Sequence, residues 1–444
     1  MAICIPRNLF DREKEKMIIS MLEFKPKEDK FQISPHQAPP EPIKFFEVSE
    51  KCVFLPSFFG RKLFKKEIEN CSLQVPTHKS ISYQFTKNLF THQQTLANNA
   101  LEILRSQYCI LLNLFTGFGK TIMGAYLASQ LKLRTLVLST QSILPKQWEE
   151  TFANFTDGKI EVYRGSKKKM PSPDSQVVIC TSGVLGNMTE ECRKTFGTVI
   201  LDEVHSFCTR TRIFTVLLVQ PTYVIAETAT FERPDGMEIM IRSVIGYNDI
   251  VVPLKKNFNV YAVETGVHPL VELDYRGKMK WAKYVESLVQ NEYRNDLIVS
   301  WILKNSSRKI LVLTDRKEMI EQISKRLNDK EIEHDFLFGT KKKYKDTKIL
   351  LGTWAKIGVG FDEKSACENF SGIRIDLVFL LFSTKQTWLV EQSVGRAFRA
   401  DMPAVVDFID NHGTSKNHFG HRQRWYRSRG GQVIKVAGTP IECV

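Results

Sequence analysis

A chain of 444 residues, 43% of them hydrophobic, has material for two or three buried cores. Its 63 Lys and Arg exceed its 49 Asp and Glu, and the net charge of +14 suits a polyanionic partner, although a merely basic enzyme has the same balance. Nine scattered cysteines without a C-x-x-C pair speak against a zinc site or a disulfide framework and for reduced thiols in cytosol or nucleus; apolar runs such as residues 377–382 are too short for a membrane-spanning helix.

Residues 1–84 carry a proline cluster, from Pro35 to Pro42, and short apolar runs such as 52–59. The N-terminus turns charged too soon for a signal peptide. Prolines and short runs predict a small β-rich accessory module. Over 85–250, strand and helix patterns alternate, which predicts a parallel sheet covered by helices. Residues 251–290 show no clear period and read as a linker, although 281–303 has the pattern of one long helix. A second lobe is expected over 291–444, with strands at 309–313, 348–352 and 376–382. The fold class is then α/β, with two parallel-sheet lobes in tandem behind a β-rich N-terminal module.

Residues 109–115 read as a buried strand and 121–130 as the helix after it. Between them stands Thr116-Gly117-Phe118-Gly119-Lys120-Thr121. A glycine turn ahead of a helix N-terminus aims backbone N–H groups at an anion. Gly117 and Gly119 let the backbone approach phosphates, Lys120 has the reach for the β- and γ-phosphates, and the Thr121 hydroxyl suits magnesium. Position 114 is Leu, where the longer form of this pattern has glycine, and a chance glycine turn is the competing reading.

Further on, the apolar strand 198–201 runs into Asp202 and Glu203, at the strand end where open α/β sheets bind ligands. Asp202 suits magnesium held through water, and Glu203 suits polarising an attacking water. Together these segments imply hydrolysis of ATP or a related nucleotide, with Mg2+. Arg396 and Arg399, three apart, share a face if helical and could neutralise a transferring phosphoryl group; a solvated basic helix is the bland alternative. Lysines at 167–169 and 341–345, and the stretch from Arg422 to Arg429 with Trp425 and Tyr426, are candidates for phosphate contact and base stacking.

In this order the segments resemble the superfamily 2 helicases and translocases, from about residue 85 onward. Residues 116–121 are similar to motif I and Asp202-Glu203-Val204-His205 to a DEVH form of motif II. Thr228-Ala229-Thr230, followed by Phe231 and Arg233-Pro-Asp-Gly236, resembles motif III of the branch containing XPB, RecG and UvsW. Residues 135–140 resemble motif Ia, 309–316 motif IV, 350–353 with 358–362 motif V, and 392–399 motif VI.

The resemblance implies two RecA-like lobes that use ATP and Mg2+ to move on nucleic acid, with DNA favoured and RNA possible. It implies that Gln93, in Phe90-Thr-His-Gln93, reads adenine beside the phosphate-binding residues Thr116, Gly117, Phe118, Gly119, Lys120 and Thr121. Catalysis falls to Glu203, Gln392, Arg396 and Arg399, and coupling to His205, Thr228, Thr230, Gly360 and Asp362. Thr140, Thr181 and Thr353 fall to the nucleic-acid strand, and Thr121 and Asp202 to the metal. Two departures are visible: the arginine and tyrosine usual before Gln93 are absent, and motif III reads Glu227-Thr-Ala-Thr-Phe231 where the family has L-T-A-T-P.

The wording Gly-Phe-Gly-Lys-Thr is similar to helicases of large cytoplasmic DNA viruses, including a poxvirus helicase that releases nascent transcripts. That implies a setting in transcription, replication or repair, with transcription machinery as a partner. The setting is viral or cellular, and the expected place is cytoplasm or nucleus or, for a viral chain, host cytoplasm or virion. The alternatives are an ATP-switched release or binding factor that separates no strands, an RNA helicase, and an ATPase acting on protein.

Overall fold

The computed structural model describes residues 2–24, 41–70, 73, 75–115, 117–140, 144–209, 211–229, 231, 236–253, 255–357, 361, 363–395 and 397–443. They fall into two compact units, Met1–Val252 and Pro253–Val444.

The first unit opens with an antiparallel sheet of β1 (Ala2–Pro6), β2 (Glu47–Val48) and β3 (Cys52–Pro56), in the order β1-β3-β2. Helices α1 (Arg12–Leu22) and α2 (Ser57–Leu63) accompany it. Asp11 caps α1 by accepting from Lys14 N at 2.7 Å.

Seven parallel strands follow: β4 (Cys109–Leu114), β5 (Thr135–Ser139), β6 (Ile160–Val162), β7 (Val177–Thr181), β8 (Thr198–Asp202), β9 (Tyr223–Thr228) and β10 (Asp249–Val252), in the order β10-β4-β9-β8-β5-β7-β6. Alternate side chains divide between two cores. Ile110, Leu112, Val137, Ile179, Ile200 and Ile225 pack under α3 (Thr91–Gln107), α4 (Lys120–Leu131) and α5 (Leu144–Phe155). Leu111, Leu136, Val178, Val199 and Val224 belong to the other core, with α6 (Glu238–Ile245). Burial on both faces is why these strands read as continuous apolar runs.

Ile5, Leu22, Phe45 and Leu55 of the N-terminal segment lie in that second core. The segment expected as a small β-rich module does carry an antiparallel sheet, with helices beside it, and its buried residues join the core on one face of the first large sheet, where α2 packs on α6. Gly246, at φ +67, lets α2 close in, since a Cβ there would fall 2.3 Å from the Phe58 ring.

The second unit is also a parallel sheet. Its strands are β11 (Phe258–Glu264), β12 (Ile310–Thr314), β13 (Asp335–Leu337), β14 (Ile349–Thr353), β15 (Leu377–Leu380), β16 (Ala404–Ile409) and β17 (Gly431–Val436), in the order β13-β14-β12-β15-β16-β11-β17. The stretch read as linker thus supplies an interior strand, β11. Its two neighbours both come from the far end of the chain, so no local pattern announces it. The long helix expected over 281–303 is two, α7 (Trp281–Val289) and α8 (Glu292–Lys304). Asn291 breaks it by accepting from Arg294 N at 2.8 Å. Helices α9 (Lys317–Asn328), α10 (Thr387–Val394) and α11 (Gly413–Ser428) are its other longer helices.

One expectation is overturned outright. The stretch from Arg422 to Arg429 is not a stacking surface, because Arg422, Trp425 and Tyr426 are buried. Arg422 makes two 2.8 Å bonds to the Asp407 carboxylate, and Tyr426 donates to the same group at 2.8 Å. A charge buried this deeply is tolerated because it is paired and hydrogen-bonded, and α11 is pinned to β16 by it.

Candidate nucleotide site

Helix α4 starts behind a turn built on two glycines. Gly117 and Gly119 sit at φ +96 and +94, a region that side chains resist. At Gly119 a Cβ would also fall 2.7 Å from Gln93 Nε2. Gln93 is buried and braces the turn. Its Oε1 accepts from Phe90 N at 3.1 Å, and its Nε2 donates to the Phe118 carbonyl at 2.8 Å. The Phe118 ring packs edge-on against Phe115 and His92. Lys120 Nζ donates to the Leu114 carbonyl at 3.3 Å, a contact that a phosphate, as a charged acceptor, can outcompete. Thr121 follows in the first turn of α4, half-buried. Thr116 lies outside the described residues.

Asp202 closes β8, and Glu227 stands beside it in register on β9. The alternation along each strand turns both toward α4 and α5. Asp202 Oδ2 accepts from Trp148 Nε1 of α5 at 2.8 Å. Burial, with the charge of Glu203 next to it, pushes the Asp202 carboxyl up to about 7. Glu227 is fully buried, and neither of its carboxyl oxygens has a hydrogen-bond partner among the described residues. Burial, then the charge of Asp202, holds its pKa well above the usual carboxylate range. Gly124 makes the room, since a Cβ there would lie 2.4 Å from Glu227 Oε1. Desolvated carboxyls gathered beside a helix N-terminus and a lysine fit a bound cation, which would lower the cost of their charge.

Glu203 leaves β8 at φ +50, a strained conformation for a residue with a side chain. Its Oε2 lies 3.3 Å from His205 Nδ1 and accepts from Thr228 Oγ1 at 3.4 Å. His205 Nδ1 and Thr228 Oγ1 are 2.9 Å apart. The candidate for polarising water and two of the candidates for coupling therefore form one triangle across the ends of β8 and β9. Ser206 Oγ donates to the Glu203 carbonyl at 2.7 Å and lies 2.7 Å from Thr140 Oγ1. Thr140 is thus linked to the same turn. Thr181 ends β7, half-buried. Thr230 lies outside the described residues.

In the second unit Gln392 is buried in α10, and its Oε1 has no hydrogen-bond partner among the described residues. Its neighbour Glu391 accepts from Trp425 Nε1 at 3.2 Å and from Arg429 Nη2 at 3.1 Å, so α10 is tied to α11. The helix expected to carry Arg396 and Arg399 together ends at Val394, with Gly395 as its cap. Arg399 is exposed at the end of a 3-10 turn, Ala397–Arg399. Arg396, Gly360 and Asp362 lie outside the described residues. Thr353 ends β14, half-buried.

The family described as "Type III restriction enzyme, res subunit" matches residues 86–233. "Putative helicase 161L" of Invertebrate iridescent virus 6 is 30% identical over 402 residues, which cover 82% of this chain and 87% of that protein. The chain belongs to the superfamily 2 helicases. Two solved structures share its fold. S. cerevisiae Dbp5 bound to RNA and ADP BeF3 has a TM-score of 0.56 at 14% identity, over 86% of this chain and 96% of that one. The type ISP restriction-modification enzyme LlaBIII bound to DNA has a TM-score of 0.54 at 15% identity, over 82% of this chain and 32% of that one. The two units of this helicase are its RecA-like lobes. One fold thus serves an RNA-bound and a DNA-bound protein and does not choose between them.

Several neighbours of the site in this helicase escape a motif-by-motif reading: Glu227, Gly124 and Ser206, and the bond from Trp148 to Asp202. Glu227 had a signal, an acid inside the apolar run of β9. The others are visible only once strand register and helix packing are known.

Proposed function

We propose that this helicase hydrolyses ATP to move along nucleic acid, DNA in preference to RNA, in viral transcription, replication or repair. The triangle of Glu203, His205 and Thr228 carries the reading. It ties the carboxylate suited to activating water to residues that bridge two strand ends, so a change at the γ-phosphate reaches the ends of both strands. The glycine turn and Lys120 bind the β- and γ-phosphates. Asp202 and Thr121 would hold magnesium, which would supply neutralisation of phosphate charge. Glu203 accepts a hydrogen bond from the attacking water and takes its proton. Arg396 and Arg399 stabilise the charge on the transferring phosphoryl group, and Gln392 couples to His205. Release after hydrolysis becomes movement along the strand. Thr140, Thr181 and Thr353 touch strand phosphates, so binding is salt-sensitive and largely blind to sequence. DNA is favoured by the likeness of motif III to the XPB, RecG and UvsW branch. Transcription machinery is the expected partner, in host cytoplasm, nucleus or virion.

The test is ATP hydrolysis without nucleic acid and with single-stranded DNA, duplex DNA or RNA, with Lys120→Ala as control. Strong stimulation by DNA is expected. Stimulation by RNA alone moves the reading to RNA remodelling, and none at all overturns it. Strand displacement set against triplex displacement then separates unwinding from translocation alone.

A further inference from the structure

After β11 the second lobe puts out a short hairpin that the motifs leave unused. Leu273 pairs with Met279 across it, and Lys280 N donates to the Glu272 carbonyl at 2.8 Å. Its tip is an ordered turn. Asp274 Oδ1 accepts from Arg276 N at 2.8 Å and from Lys278 N at 2.9 Å, and Gly277 takes φ +73. Asp274 is thereby held within the turn, where its charge also meets those of Lys278 and Arg276, the two cations of the tip. The base is equally fixed. Asn411 N donates to the Val267 carbonyl at 2.7 Å, Leu270 N to Ser287 Oγ at 3.0 Å, and Thr265 Oγ1 to Asp410 at 2.9 Å. Asp410 in turn holds the buried Arg294 at 2.8 Å.

This firm support carries an apolar load into solvent. Tyr275 is 88% exposed, Leu270 73% and Leu273 57%. The Arg276 guanidinium lies 5.0 Å from the Tyr275 ring centroid. An ordered turn that displays an aromatic ring among cations has the chemistry to stack on a nucleobase and hold its phosphates. The hairpin also leaves the sheet in the right place. Glu264 and Thr353 both end parallel strands of one sheet, so the hairpin rises from the edge that carries Thr353. Four strand spacings separate β11 from β14, about 19 Å at about 4.8 Å each.

We propose that this hairpin is a stacking element for a duplex junction: Tyr275 packs on the terminal base pair, Arg276 and Lys278 take the flanking phosphates, and Leu270 and Leu273 exclude water beneath. The proposal rests on the nucleic-acid motor reading above. Because Tyr275 is exposed, its replacement leaves the core intact.

The test uses the full chain on a tailed DNA duplex with 2-aminopurine at the junction, in three forms: wild type, Tyr275→Ala and Tyr275→Phe. Wild type should change the junction fluorescence. Tyr275→Ala should lose that change and slow strand displacement at least about tenfold, with ATP hydrolysis stimulated by single strands kept within about threefold. Tyr275→Phe, which keeps the ring, should behave as wild type. Unchanged displacement and fluorescence in Tyr275→Ala overturns the proposal, as does an equal loss of single-strand-stimulated hydrolysis. A wild-type chain stimulated by DNA but silent at the junction also overturns it and leaves the tip to a protein partner. If nucleic acid does not stimulate wild type at all, the motor reading itself fails.

Discussion

Glu227 is the residue least reconciled with its surroundings, a fully buried carboxyl whose oxygens have no hydrogen-bond partner among the described residues. Burial raises its pKa well above the usual value near 4.5, so the folded protein keeps a proton there that the unfolded chain releases. The sign follows. Above about pH 4.5 folding binds a proton, and Glu227's contribution to stability falls as pH rises until the folded group itself ionises. Glu227→Gln removes that dependence. The difference in unfolding free energy between the Gln variant and wild type should therefore shift in favour of the variant as pH rises above about 5, by up to about 1.4 kcal/mol per pH unit. Parallel melting profiles would mean an ionised Glu227 with a partner. The neighbouring acid calls for the opposite experiment. Glu203→Gln keeps the shape that touches His205 and Thr228 and removes only the proton acceptor. ATP affinity should stay within about threefold while turnover falls by at least about a hundredfold. Near-normal turnover would take Glu203 out of the chemistry.

At the scale of elements, strands buried on both faces announce themselves, and β4, β8, β12, β14 and β15 all lie within a few residues of their expected places. Local signals fail where the deciding contact is remote. β11 is interior only because β16 and β17 flank it, and Glu227 meets Asp202 only through the register of β8 with β9. The basic face of α11 misleads for the same reason, since nothing near Arg422 in sequence announces Asp407. Motif VI lies between these cases. Its residues were legible, but the helix that should carry both arginines stops at Gly395, and Arg399 hangs on a 3-10 turn. A turn of this kind, behind a helix anchored by Glu391 to Trp425 and Arg429, presents an arginine on a fixed base. Arg399→Ala should reduce ATP hydrolysis roughly a thousandfold or more if the guanidinium meets the phosphoryl group. A loss below about tenfold, with an unchanged melting temperature, would leave Arg399 outside the chemistry.

For the whole molecule, the informative fact is which pieces share a core. Residues 1–84 read as an accessory module, yet Ile5, Leu22, Phe45, Leu55 and Phe64 are fully buried in the same cluster as Leu111, Leu136 and Val199 of the first sheet. Specific contacts stitch the two together. Phe45 meets Phe214 at 5.9 Å, the Arg61 guanidinium lies 4.9 Å from the Tyr108 ring, and Tyr83 Oη is 3.1 Å from Thr135 Oγ1. Burying five such large apolar side chains contributes roughly 8–15 kcal/mol at about 1.5–3 kcal/mol each, as much as a domain's entire net stability. A chain starting at residue 85 would keep every helicase motif and lose the residues that complete the core around α6. That fragment should be largely insoluble, or bind hydrophobic dyes and lack a cooperative melt, while the full chain stays monodisperse under the same conditions. If residues 85–444 instead purify as a soluble species with the ATP hydrolysis of the full chain, the N-terminal segment is a detachable appendage, and its burial against the sheet contributes little to the lobe that binds nucleotide.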